Sequence, residues 1–168
     1  VFTIPTNGWY TERIFLSTLR MLQFSKGKRP IIIQFSIDGN EETNNQIRGE
    51  KSYERSIKSL EFLKSLQSIY KKLHFSIITV VTNENRHLYP KLIDELVKFE
   101  TNQININLFR YGFLNHPPIP EETIEKYKEA VERYESFIKR KKLKRYSFLG
   151  AKLMRLKEAL QKDLIYEV

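Results

Sequence analysis

Between Ile31 and Ile37 the chain is almost continuously apolar, with Ile31, Ile32, Ile33, Phe35 and Ile37 interrupted only by Gln34 and Ser36. Such a run predicts a strand covered on both faces, as in a parallel sheet. The period then changes. Tyr53, Ile57, Leu60, Leu63, Leu66, Ile69 and Leu73 recur near helical spacing through a lysine-rich stretch and predict a long amphipathic helix. A further strand is predicted from Phe75 to Val81, followed by a helix marked by Leu88, Leu92, Leu96 and Phe99, with Asn83 and Asn85 as candidate caps. Ile104 to Phe109 reads as the next strand. Pro120, Glu121 and Glu122 then open a helix whose apolar face is Ile124, Tyr127, Val131, Tyr134 and Ile138. Ahead of all these, Val1 to Ile4 reads as a short strand, Thr6-Asn7-Gly8 as a turn, and Ile14, Leu19 and Leu22 as the stripe of another helix. Four strand-helix units in succession predict a parallel α/β architecture. Phe148 to Leu160 reads as one more helix and Ile165 to Val168 as the start of another strand. No internal repeat or low-complexity linker interrupts the chain, so residues 1–168 are expected to form a single domain.

Composition supports a folded chain. Of 168 residues, 40% are hydrophobic and 29% charged, enough apolar surface to offset the ordering entropy that keeps polar chains disordered. No apolar run approaches the roughly 18 residues of a membrane span, and no signal-peptide pattern is visible, so a cytoplasmic location is expected. The absence of cysteine removes disulfides, zinc ribbons, thiol nucleophiles and self-ligated iron-sulfur clusters. Because Val1 already belongs to a predicted strand, the chain reads as a piece of something longer. Its net charge of +9 is compatible with an anionic partner. Much of that excess sits at Lys139, Arg140, Lys141, Lys142, Lys144 and Arg145. These residues suit either a solvated helix end favoured by the macrodipole or, together with Tyr146, a nucleic-acid grip through phosphate contacts.

In a parallel α/β sheet, ligands bind beyond the carboxyl ends of the strands. Three of those ends are polar here: Thr6-Asn7-Gly8, Ser36-Ile37-Asp38-Gly39 and Thr79 to Asn83. Alternation places Gln34, Ser36 and Asp38 on one face of an otherwise apolar strand, where polar groups need partners. A ligand or an ordinary turn would supply them. Asn105 and Asn107 likewise share one face of their strand, looking either into a lumen or out to solvent at an edge. His116, in a proline loop with Pro117 and Pro118, reads as a surface residue, and His74 and His87 show no metal-ligand spacing with it. Trp9 reads as packing.

The order of these segments resembles the radical S-adenosylmethionine (radical SAM) enzyme superfamily, in the branch of the sulfatase-maturing and peptide-modifying enzymes. The resemblance rests on Thr6-Asn7-Gly8, then Phe35-Ser36-Ile37-Asp38-Gly39, Ile47-Arg48-Gly49, Ser52-Tyr53-Glu54 and Ile77 through Asn85, and it covers roughly Val1 to Tyr111. It implies a TIM-like partial barrel of parallel (β/α) units, of which this chain would carry strands three to six of the core domain. A 4Fe-4S cluster, held by a CxxxCxxC loop, and S-adenosyl-L-methionine would be the cofactors. The activity implied is that of an oxidoreductase generating a deoxyadenosyl radical, with a reductant protein for the metal-binding cluster and a peptide or protein as candidate substrate. The cysteine loop would lie ahead of Val1, so this polypeptide alone is not expected to catalyse. Thr6, Asn7, Ser36, Asp38 and Arg48 match cofactor-binding positions, with Arg48 suited to a carboxylate or else to a loop salt bridge with Glu42 or Glu50. Where some branches carry a lysine, Ile77 stands here. The alternative is a basic α/β nucleic-acid-binding or cofactor-binding module with no radical chemistry.

Overall fold

Strand and helix alternate in the computed structural model, which describes residues 1–26, 28–109 and 119–141. The elements are β1 (Phe2–Thr6), α1 (Thr11–Phe24), β2 (Ile31–Ser36), α2 (Glu41–Arg48), α3 (Ser52–Lys64), β3 (Leu73–Val81), α4 (Lys91–Leu96), β4 (Gln103–Leu108) and α5 (Glu121–Arg140). Among the described residues the strands form one sheet in the order β1-β2-β3-β4, and every neighbouring pair is parallel. The His116 loop, the basic residues Lys142, Lys144 and Arg145 with Tyr146, the helix expected at Phe148 to Leu160 and the strand expected at Ile165 to Val168 lie outside the described residues.

Residues paired across parallel strands point to the same side of the sheet. Ile4 pairs with Ile33, Ile33 with Phe75, and Ile77 with Ile104, so these side chains line one face. On that face, Leu22 of α1 and Leu60 and Leu63 of α3 pack against Ile31, Ile33, Phe35, Leu73 and Phe75. Farther along, Leu92, Ile93 and Leu96 of α4 and Tyr127, Val131 and Tyr134 of α5 pack against Ile77, Val81, Ile104 and Leu108. Each fully buried Phe, Leu or Ile contributes about 1.5–3 kcal/mol. The described helices thus bury their apolar stripes on one face alone. The opposite face carries Gln34 and Ser36 of β2, His74 and Ser76 of β3, and Gln103 and Asn105 of β4. This corrects the expectation that β2 is covered on both faces: its burial alternates, with Ile31, Ile33 and Phe35 buried and Ile32, Gln34 and Ser36 half-buried.

Three further differences have local causes. The long helix predicted through Leu73 ends at Lys64, tightens into a 3₁₀ turn at Ser65–Ser68, and gives way to β3. Leu66 and Leu73 continue the apolar series only because both close the base of the same core. The helix predicted from Leu88 to Phe99 shortens to the six residues of α4 between 3₁₀ turns, beginning after Pro90, whose ring cannot continue a helix from upstream. Asn83 and Asn85 do not cap it; Pro90 occupies that position. α2 carries almost no apolar stripe and escaped the periodic reading. It is set by its ends: the Asn40 side chain accepts a hydrogen bond from the Thr43 N–H (3.0 Å), Glu41 and Glu42 sit in the first turn and Arg48 in the last. No described helix is long and apolar enough to cross a membrane.

Candidate functional site

Beyond the carboxyl end of β2, Asp38 is only 4% exposed and sits at the centre of a hydrogen-bonded network. The ladder between β2 and β3 passes from the Ile37 N–H to the Ile78 carbonyl (3.0 Å), and its next rung is made by a side chain, with the Val80 N–H donating to Asp38 Oδ1 (2.8 Å). The other carboxylate oxygen takes Arg48 Nε at 2.7 Å and Nη2 at 2.5 Å. The Asp38 N–H donates to Asn44 Oδ1 (2.8 Å), and Asn44 Nδ2 donates to Ser52 Oγ (2.9 Å), which ties α2 to α3. From the far side, Asn85 Nδ2 donates to the carbonyls of Asp38 (2.6 Å) and Val80 (2.8 Å), while Asn85 Oδ1 accepts from the Thr82 N–H (2.7 Å). A buried carboxylate costs several kcal/mol unless a countercharge and hydrogen bonds satisfy it, and here both are present. That cost selects the partner of Arg48. The guanidinium turns back onto Asp38 rather than out to Glu42 or Glu50, which corrects the surface alternative.

The turn after β1 is held on α3. Ser56 Oγ donates to the Asn7 carbonyl (2.7 Å), and Ser59 Oγ donates to the Gly8 carbonyl (2.7 Å) while pairing with Thr11 Oγ1 (2.7 Å). Within the turn, Thr6 Oγ1 accepts from the Gly8 N–H (3.1 Å) and Asn7 Oδ1 from the Trp9 N–H (3.1 Å). Gly8 has φ +70°, and a Cβ there would run into Ser56 Cα, so the turn reaches α3 only because this residue is glycine. The Trp9 ring lies under the Arg55 guanidinium, 4.0 Å from its centroid, which fits the packing reading.

The five residues expected at a cofactor site therefore stand at two neighbouring strand ends. Thr6 and Asn7 shape the β1 turn; Ser36 ends β2 on the polar face; Asp38 and Arg48 form a buried pair. Arg48 keeps 27% of its side chain exposed. Ile77 is fully buried on the helix-covered face, so any side chain at that position points away from the polar face. Thr79 also faces the helices, its hydroxyl paired with that of Tyr89 at 2.6 Å. Burial pushes the Tyr89 hydroxyl well above the ordinary tyrosine range, outweighing the lowering effect of the Thr79 bond, and the nearby Asp38 charge adds a smaller upward push, so it stays protonated. A groove of about 460 Å³ opens beside the network, with Asn40, Glu42 and Gln46 on one wall and Glu84 and His87 on the other. Thr82 Oγ1 bonds to the Glu84 backbone N–H (3.1 Å), and hydrogen bonding there holds the Glu84 carboxyl below its usual range.

Sequence reasoning missed Asn44, Ser52 and Asn85 as network members, and Ser56 and Ser59 as anchors of the glycine turn. Their only signal is polarity at positions facing neighbouring elements, which one-dimensional periodicity does not display. Among the described residues, no group of three or more His, Cys, Asp or Glu is arranged to hold a metal ion. Comparison of the chain with protein-family models, curated proteins and solved structures gives no match.

Proposed function

We propose that this chain is the middle of a radical S-adenosylmethionine enzyme core, carrying strands three to six of a partial (β/α) barrel. The observation that carries the reading is the sheet itself: sequentially ordered parallel strands, the described helices all on one face, and a polar opposite face ending at the Asp38–Arg48 pair. Parallel sheets are ordinarily covered on both faces, and a polar face without helices is the arrangement of a barrel lumen. The residues present fit the adenosylmethionine part of the site. Arg48, oriented by Asp38, offers a guanidinium to the cofactor carboxylate, and Ser36 offers a hydroxyl from the adjoining strand end. Asp38 is then a positioning residue, because both of its oxygens are already engaged. The residues do not fit an iron-sulfur cluster, since the chain has no cysteine. When bound, the cofactor supplies radical hydrogen abstraction; the chain's part is to orient it and exclude water.

Titration of the chain with S-adenosylmethionine, followed by amide chemical shifts, tests the reading. Shifts are expected at Ser36, Asp38 and Arg48, with binding weakened about tenfold in Arg48→Met, the loss of roughly 1.4 kcal/mol from a charged hydrogen bond. The reading also requires a CxxxCxxC loop encoded ahead of Val1. Its absence from the gene, or shifts confined to other strand ends, would reject it.

A further inference from the structure

The charges of this chain are sorted by pole. In a sheet whose strands are all parallel, every helix-to-strand connection returns to the amino ends of the strands. There the connection before β2 carries Lys26, Lys28 and Arg29, and the one before β3 carries Lys71 and Lys72. The connection before β4 carries Lys98, with Glu100 as its one carboxylate, and α5 ends in Lys139 and Arg140 with Lys141 following. All of these side chains are exposed. At the carboxyl ends, where the Asp38 network lies, the first turns of α2 and α5 carry Glu41, Glu42, Glu121 and Glu122. Helix ends do not account for the basic pole. Neither α1 nor the 3₁₀ turn at Ser65–Ser68 has a basic residue in its last turn, so the cations before β2 and β3 serve no macrodipole. Hydrogen bonds tie the connections into one surface: Lys72 Nζ donates to the Lys28 carbonyl (2.7 Å), Lys64 Nζ to the Phe99 carbonyl (2.9 Å), and the Ile104 N–H at the start of β4 to the Tyr134 hydroxyl of α5 (2.8 Å). Two large apolar side chains stand at the same pole. Phe24, at the end of α1, is 93% exposed, and Ile69, just after the 3₁₀ turn, is 71% exposed.

From this arrangement we infer that the amino-end pole of the sheet docks on an anionic lipid surface, with its cations at the level of the headgroup charges and Phe24 and Ile69 entering the boundary between headgroups and acyl chains. The apolar pair decides the occupant. A nucleic acid would match the charge, but bases stack on flat aromatic rings, and Ile69 has none to offer. A bilayer takes both side chains out of water while leaving the surrounding lysines among phosphates, which is how interfacial segments divide apolar burial from electrostatic attraction. Docking through this pole turns the Asp38–Arg48 end away from the bilayer, toward solution. The inference rests on the opposite end of the sheet from the adenosylmethionine reading and does not depend on it.

Flotation of the full chain with lipid vesicles tests the inference. Vesicles of equal parts phosphatidylcholine and phosphatidylserine should carry the chain, vesicles of phosphatidylcholine alone should not, and raising the salt from about 0.1 M to about 1 M should release most of it. Lys28→Gln combined with Lys71→Gln should weaken binding at least about tenfold. Lys51→Gln combined with Lys91→Gln removes the same charge at the other pole and should change binding less than about twofold. Phe24→Ser combined with Ile69→Ser should weaken vesicle binding at least about fivefold. It should leave the melting temperature unchanged, because both side chains are already in water. Single-stranded RNA at matched phosphate concentration supplies the opposing outcome. Binding tighter than to the anionic vesicles, and unaltered by Phe24→Ser with Ile69→Ser, would make the pole a nucleic-acid grip and overturn the inference. Failure to float with anionic vesicles, or equal losses in the two lysine-pair variants, overturns it as well. Because adenosylmethionine is read at Ser36 and Arg48, failure of either proposal leaves the other standing.

Discussion

At Gly8 and Gly49 the backbone demands glycine for different reasons. Gly8, at φ +70°, lies against Ser56 Cα, whereas a Cβ on Gly49, at φ +101°, would meet only the edge of the Trp9 ring at 3.7 Å. Gly8→Ala therefore carries steric overlap and a left-handed backbone together, about 2–4 kcal/mol of lost stability. Gly49→Ala carries the backbone cost alone, about 1–3 kcal/mol. Urea unfolding of both variants checks the order: Gly8→Ala should have the lower midpoint, and equal midpoints would mean that the β1 turn moves off α3 without penalty.

β3 shows how one element couples to pH. His74 is half-buried near the start of this strand, and desolvation lowers its imidazole from the ordinary 6.5. The unfolded chain accordingly takes up the His74 proton at a higher pH than the folded chain. Stability from this group is complete above the unfolded value and is lost as pH falls through 6.5 toward the lower folded value. Glu84 and Asp94 have carboxyls lowered mainly by hydrogen bonds, from 4.5 and 3.8 respectively, so their losses fall in a more acidic window. Unfolding midpoints should decline between about pH 7.5 and pH 5.5, and His74→Gln should flatten that decline. A decline of the same slope in His74→Gln would assign it to other groups.

For the whole molecule, the open edges of the sheet matter most. Among the described residues β1 pairs only with β2, beginning with the Phe2 N–H on the Pro30 carbonyl (3.0 Å). Alternation then turns the Thr3 N–H and the position of Pro5 outward. Pro5 has no N–H to offer, a common way of blunting an edge. Alongside runs a groove of about 440 Å³ between β1 and α1, lined by Ile4, Ile14, Met21 and Ile33. The described structure leaves this edge unpaired, so β1 amides should exchange at least about tenfold faster than those of β2, which is paired on both sides. Equal protection would mean that the β1 edge is covered in solution.

What the sequence by itself determined was the succession of elements. The strands at Ile31 and Phe75 and the helix opened by Pro120-Glu121-Glu122 follow from apolar period and end signals, which are properties of neighbouring residues. Ser36 and Asp38 were also legible, because polar residues at a strand end stand out against an apolar run, whereas Arg48, in the last turn of α2, was singled out only through the family resemblance. Tertiary structure decided the rest. That Asp38 pairs with Arg48 depends on α2, whose own sequence has no periodic stripe, folding its last turn back over the end of β2. That the described helices cover one face of β2 and not both depends on where α1, α3, α4 and α5 all pack. An apolar run records how much of a strand is buried, but only the assembled sheet decides which side the helices take.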